Sequence, residues 1–152
     1  EPDFCKYIER RAYDLAGCTN DRVKIKFNGT QIPLKTFEKY MDMYIGRKSE
    51  TKRAYCELQN EVQSPNSGNI AWQIGSCQSG DGFKHVSFVN GIATTDGGKH
   101  VDYIKNQIVD AFRERIRTDP KYKDMYAGVT SRVWGNYIKN HLLTLVHCCA
   151  TS

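Results

Sequence analysis

An α+β domain is what this sequence predicts: a mixed, mostly antiparallel sheet of four or five strands with helices packed on one face. Three observations lead there. Apolar residues recur at steps of three and four in two separate stretches, around 4–15 and 101–116. Between and after them lie apolar runs of strand length, at 23–27, 54–62, 70–77, 85–94 and 141–150. The turns that join neighbouring runs are short and rich in Gly, Ser, Asn and Asp.

Composition sets the outer bounds. With 152 residues, 39% hydrophobic and 26% charged, the chain fits one domain able to bury a core, and it is no disordered tail. No apolar run reaches the length of a membrane span and no secretory hydrophobic segment stands at the start, so the expectation is no membrane partner. The excess of 22 Lys and Arg over 17 Asp and Glu gives a net charge of +5, which favours polyanionic partners without requiring them. Cys5, Cys18, Cys56, Cys77, Cys148 and Cys149 are scattered and form no C-x-x-C pair. With His85, His100, His141 and His147 they complete no zinc spacing, so free, mostly buried thiols and no metal are expected. In a strand, His147, Cys148 and Cys149 alternate between faces, which argues against a cluster there.

The elements follow in order. Phe4, Ile8, Ala12 and Leu15 form the stripe of an amphipathic helix that Gly17 is placed to end. Val23, Ile25 and Phe27 alternate with Arg22, Lys24 and Lys26 in a half-buried strand, and Asn28-Gly29 turns the chain into a short arm over Gln31–Leu34. Lys24 and Lys26 form a solvated face or, alternatively, a DNA contact. Thr36 caps a helix built on Phe37, Tyr40, Met41 and Tyr44, which Gly46 ends. Arg47 to Lys52 is a charged connection. Strands over Ala54–Val62 and Ile70–Cys77 flank a polar hairpin loop, Gln63–Gly68, with Trp72 as a core anchor. After a turn at Gln78–Gly82, His85–Thr94 completes an antiparallel run, so that successive strands form a meander.

The stretch from Val86 to Lys105 organises the rest. A buried strand (Val86, Phe88, Val89, Ile92) runs through Asp96, Gly97 and Gly98 into a helix whose stripe is Val101, Ile104, Ile108, Phe112 and Ile116. Adjacent glycines permit positive φ or a close approach, and Thr95 or Asp96 is placed to cap the helix. Two readings of Gly97-Gly98-Lys99-His100 stand: a plain turn with a solvated lysine, or an anion site at the helix N-terminus. The longer glycine spacing of a phosphate loop is missing. Asp110 with Arg113 and Glu114 with Arg117 form i,i+3 pairs contributing about 0.2–0.5 kcal/mol each, too little to explain the helix. Pro120 ends it, leaving Arg117, Lys121 and Lys123 on an exposed loop. Val133, Trp134, Tyr137 and Ile138 fit a short helix, and His141–Ala150 is an apolar strand suited to the centre of a sheet.

Ser87-Phe-Val-Asn-Gly-Ile-Ala-Thr-Thr95 followed by Gly97-Gly-Lys-His-Val-Asp-Tyr-Ile104 resembles the transducer domain of eukaryotic-type type IIA DNA topoisomerases. That family carries a Ser-Phe-Val-Asn-x-Ile-x-Thr strand running into Gly-Gly-x-His-Val-x-Tyr at a helix start. Phe37-x-x-Tyr40-Met-Asp-Met-Tyr44 is similar to a second family segment, and Tyr137-Ile-Lys-Asn-His141 to a third. Arg10-Arg-Ala-Tyr-Asp-Leu-Ala-Gly17 resembles the helix that leads from the family's ATP-binding domain. The resemblance implies a ribosomal protein S5 domain 2-like topology with a left-handed crossover, against the usual hand. It also implies a linking helix at 1–18 and a transducer domain at 19–152, ending before the family's switch-lysine loop. DNA contact by Arg117, Lys121 and Lys123 follows from a lysine-rich family loop after the same helix, here interrupted by Asp119 and Pro120. ATP and Mg are then cofactors of the full-length enzyme, with none bound by this piece and no catalytic residue in it. Double-stranded DNA, the ATP-binding domain of the same polypeptide and a second copy in a homodimer are the implied partners. A nuclear location is the family default, with organellar or cytoplasmic viral forms as alternatives.

A stand-alone basic α+β module binding nucleic acid or protein is the competing reading, supported by the charge and the basic loop. It leaves the separate family-like segments unexplained. A hydrolase or transferase has no support, because carboxylates, His and Ser fall in no recognisable catalytic order.

Overall fold

In a computed structural model, residues 2–47, 50–60, 69–123 and 128–151 are described. The chain opens with a helix, α1 (Pro2–Cys18), followed by a tight hairpin of β1 (Lys26–Phe27) and β2 (Thr30–Gln31). Asn28 and Gly29 both take positive φ, 48° and 80°, the backbone a two-residue turn needs to match strand twist. The strand expected from Val23 is confined to two residues and stands apart from the main sheet. Helix α2 (Phe37–Ile45) is capped as its sequence predicts: Thr36 Oγ1 accepts from the Lys39 N–H at 3.2 Å, and Gly46 ends it at φ 77°.

The main sheet contains β3 (Arg53–Asn60), β4 (Asn69–Gln78), β5 (Lys84–Val89), β6 (Ile92–Ala93) and β7 (Leu142–Thr151), in the order β3-β4-β7-β5-β6. The expected strand end at Val62 and the Gln63–Gly68 loop lie outside the described residues. The class and the mixed, mostly antiparallel pairing are as the sequence predicts, but the meander stops at β4. Strand β7 inserts between β4 and β5, antiparallel to the first and parallel to the second. Its apolar run explains the place it takes: Leu145 and Val146 point to opposite faces, and both are fully buried. The chain from β5 to β7 is thus a crossover through α3 (Lys99–Thr118), α4 (Pro120–Lys123) and α5 (Ser131–Asn140).

Helices cover both faces of the sheet rather than one. Phe37, Tyr40, Met41 and Ile45 of α2 pack on Phe88 and Leu145. Ile104 of α3 packs with Trp72, Ile74, Val146 and Cys148, the alternate residues of the same strands. A strand glycine lets α2 approach so closely: a Cβ on Gly75 would lie 1.8 Å from Met41 Sδ. Buried Arg53 of β3 then pairs with Asp42 and Glu38, tying α2 to the sheet edge.

Several local expectations change. Gly17 does not end α1 but lies within it, against the ring of Tyr40. The stripe of α3 is buried at Val101, Ile104 and Val109, whereas Phe112 is 51% exposed. Of the thiols only Cys148 is buried; Cys5 and Cys56 are exposed and the other three intermediate, all free.

Candidate functional site

The corner between sheet and helix begins with a break the strand pattern hides. Asn90 and Gly91 take φ 51° and 76°, so β5 turns back as β6 instead of continuing to Ile92, which is 68% exposed. Asn90 fastens this turn to the central strand. Its N–H donates to Cys148 O and its Oδ1 accepts from the Ala150 N–H, both at 2.9 Å.

Beyond the hairpin, four polar side chains form a continuous chain. His85 Nδ1 lies 3.2 Å from Ser87 Oγ, Ser87 Oγ lies 2.6 Å from Thr94 Oγ1, and Thr94 Oγ1 lies 3.0 Å from His100 Nε2. Ser87 Oγ also donates to Thr94 O at 3.0 Å, which spends its only proton. Thr94 must then donate to Ser87, and both imidazoles must donate inward, His85 from Nδ1 and His100 from Nε2. With the Ser87 proton so placed, each link has one direction. Burial, and next the proximity of His85, hold His100 below the ordinary imidazole value, against the pull of Asp102.

The two glycines complete the corner. Gly97 at φ 79° and Gly98 at φ 145° occupy backbone that side chains rarely adopt. A Cβ on Gly97 would stand 3.2 Å from His85 Nε2, and one on Gly98 3.2 Å from the His100 ring. Thr95 and Asp96 do not cap the helix: Gly98 is the N-cap, with no side-chain cap bond, and its carbonyl accepts from Val101 and Asp102. Lys99 is exposed at the first helical position. The φ values and ring contacts account for both glycines as a turn. The corner faces a cleft of about 510 Å³ whose far wall is Tyr7, Arg10, Arg11 and Asp14 of α1.

The basic segment is an elbow rather than a loop. Pro120 starts α4, where its missing N–H costs nothing, and Asp119 Oδ1 accepts from the Lys121 N–H at 3.0 Å. Arg117 is held by Glu114 at 2.8 Å, and Arg115 by Asp119 at 3.2 Å. Lys121 is exposed, its Nζ 5.5 Å from the Tyr122 ring centre. Lys123 ends α4, and its side chain lies outside the described residues. Arg117, Lys121 and Lys123 are therefore brought to one elbow, far along the sequence from Gly97–His100 at the other end of α3. Among the described residues no group of three or more His, Cys, Asp or Glu is placed to hold a metal ion, and no helix is long and apolar enough to cross a membrane.

Gly97, Gly98, Lys99 and His100 stand out in the sequence as a junction, whereas their partners His85, Ser87 and Thr94 do not. The readable signal was Asn90-Gly91, a hairpin dipeptide that places Ser87 and Thr94 opposite one another.

A mixed sheet joined in this way to a long helix defines a domain of the kind found in the ATPase regions of type II topoisomerases. The fold matches the ATPase region of Saccharomyces cerevisiae topoisomerase II with a TM-score of 0.64 and 28% identity, over 92% of this chain and 30% of that one. The B-subunit of DNA gyrase from Myxococcus xanthus shares the fold alone, at a TM-score of 0.54 and 14% identity, over 97% of this chain and 40% of that one. The family model described as DNA gyrase B matches residues 36–152, and the chain belongs to that family. DNA topoisomerase 2-alpha of Cricetulus griseus is 37% identical over 148 residues, 97% of this chain, and DNA topoisomerase 2-beta of Mus musculus is 34% identical over the same span. The chain spans 9% and 8% of the lengths of these two relatives.

Proposed function

We propose that this chain is the transducer domain of an ATP-dependent type II DNA topoisomerase, relaying ATP binding and hydrolysis to DNA-gate closure and strand passage. A relay between two sites needs an element that moves as one piece, and the observation that carries the reading is the corner. Two left-handed glycines and the directed chain His85–Ser87–Thr94–His100 join the sheet to a helix of 20 residues, about 30 Å of rod. Residues 1–18 are then the linking helix from an ATP-binding domain of the same polypeptide, and 19–152 the transducer. The elbow at Arg117, Lys121 and Lys123 meets double-stranded DNA. ATP and Mg belong to the full-length homodimeric enzyme, expected in the nucleus, and we assign neither to any residue of this chain.

The test is made in the full-length enzyme. Thr94→Val keeps the side-chain shape and deletes the two hydroxyl links. At about 1 kcal/mol net for each of the two neutral hydrogen bonds, about 2 kcal/mol together, relaxation of supercoiled DNA should fall about thirtyfold. ATP hydrolysis should persist at its former rate. A variant that relaxes DNA as fast as the parent would remove the ground for the relay.

A further inference from the structure

We infer that Asp14 sets the register of the first helix on the rest of the fold, which makes it a positioning residue for the relay; this rests on the transducer reading above. Helix α1 is loosely held by its apolar side chains: Phe4, Tyr7, Ile8 and Leu15 are all at least 40% exposed. Among the described residues of α1 the deeply buried side chains are Ala16 and a carboxylate, Asp14, at 4% and 3% exposure.

Burying a carboxylate is unfavourable unless its oxygens are bonded, and here both are. Tyr40 Oη donates to Oδ1 at 2.6 Å, and Arg11 donates to Oδ2 at 2.8 Å. Tyr44 Oη lies 2.9 Å from Tyr40 Oη. Tyr40 has one proton and gives it to Asp14, so Tyr44 is the donor in that second bond. Behind the bond the helices meet without a spacer, since a Cβ on Gly17 would lie 2.5 Å from the Tyr40 ring. From α2 the connection continues to β3 through Arg53 with Asp42 and Glu38, and to β4 through Met41 on Gly75.

Apolar contacts alone would hold two helices together while allowing them to slide. A carboxylate–phenol bond has one geometry: a shift of α1 by one turn, about 5.4 Å, would carry Arg11 along with Asp14 but break the bond to Tyr40, leaving one oxygen of a buried carboxylate without its donor. Asp14 therefore converts movement of α1 into movement of α2 and the sheet.

The experiment measures, in the full-length enzyme, strand passages per ATP hydrolysed for Asp14→Asn, Tyr40→Phe and the double variant. Each single change removes or weakens the charged bond while keeping side-chain shape. The ratio should fall about tenfold in each, with ATP turnover unchanged, as expected for loss of a hydrogen bond to a charged group. The double variant should be no worse than either single one. An unchanged ratio, or ATP turnover and strand passage falling together, overturns the assignment. Thr94→Val is the reference. If it lowers the ratio and Asp14→Asn does not, Asp14 loses its role while the relay stands; if neither does, the relay reading fails as well.

Discussion

At Gly17 a missing methyl group settles the sign of a substitution. Alanine favours a helix over glycine by up to about 1 kcal/mol, so Gly17→Ala would stabilise an isolated α1. In the fold the added Cβ would meet Tyr40 Cγ at 2.5 Å and Cβ at 2.6 Å, atoms close to the backbone of α2. Tyr40 cannot retreat, being 1% exposed and bonded to Asp14. Overpacking of this kind costs about 1–3 kcal/mol, so Gly17→Ala should destabilise the protein, with a lower midpoint in urea unfolding. An equal or higher midpoint would mean that α1 is free to move off α2. The sequence reads Gly17 as a terminator because a glycine after an apolar stripe usually is one. The residue that changes its meaning, Tyr40, stands 23 positions downstream, where no local pattern reaches it.

Elements whose signals lie within a few residues were legible: the Thr36 cap, the Asn28-Gly29 turn, the ion pairs of α3 and the short α5. Where a longer pattern masks a local signal, sequence and structure differ. Val86, Phe88 and Ile92 look like one buried strand, yet Asn90-Gly91 folds it back, and only that fold brings Ser87 to Thr94. Residues 117–123 look like a loop because of Asp119-Pro120, yet the same pair caps and starts α4. Ordering of this elbow sharpens what its cations are expected to do on DNA. Each phosphate contact contributes about 0.9 to the slope of log affinity against log salt, so replacing Arg117, Lys121 and Lys123 together by alanine should flatten the slope by about 2–3. Binding of the full-length enzyme to duplex DNA, measured across a salt series, checks this. An unchanged slope would place the DNA elsewhere.

At the scale of the whole molecule, what the sequence could not show is which strands flank the central one at 142–151. An apolar run at 141–150 announces a central strand but not its neighbours, and the pairings of Ser76 with Thr144 and of Ser87 with Val146 join residues 68 and 59 positions apart, beyond the reach of any local pattern. That insertion also buries a titratable group. His147 of β7 is 6% exposed between Phe37 and Phe88, its Nδ1 donating to Gln73 Oε1 at 2.9 Å. Its Nε2 is buried without a hydrogen-bond partner. Burial therefore holds His147 below its ordinary value of 6.5, neutral in the folded protein. As pH falls through 6.5 the unfolded chain takes up a proton that the folded one refuses, so this group's contribution is whole above that value and is lost below it. The loss can approach about 1.4 kcal/mol per pH unit until the depressed folded value is reached. His100, lowered for the same first reason, acts in the same direction. Urea unfolding between pH 8 and about 5.5 should show stability falling on the acid side, with a shallower fall in His147→Gln, whose amide can still donate to Gln73. Parallel curves for the two proteins would mean that His147 titrates normally in the folded state, and that the face of β7 toward α2 is open to water.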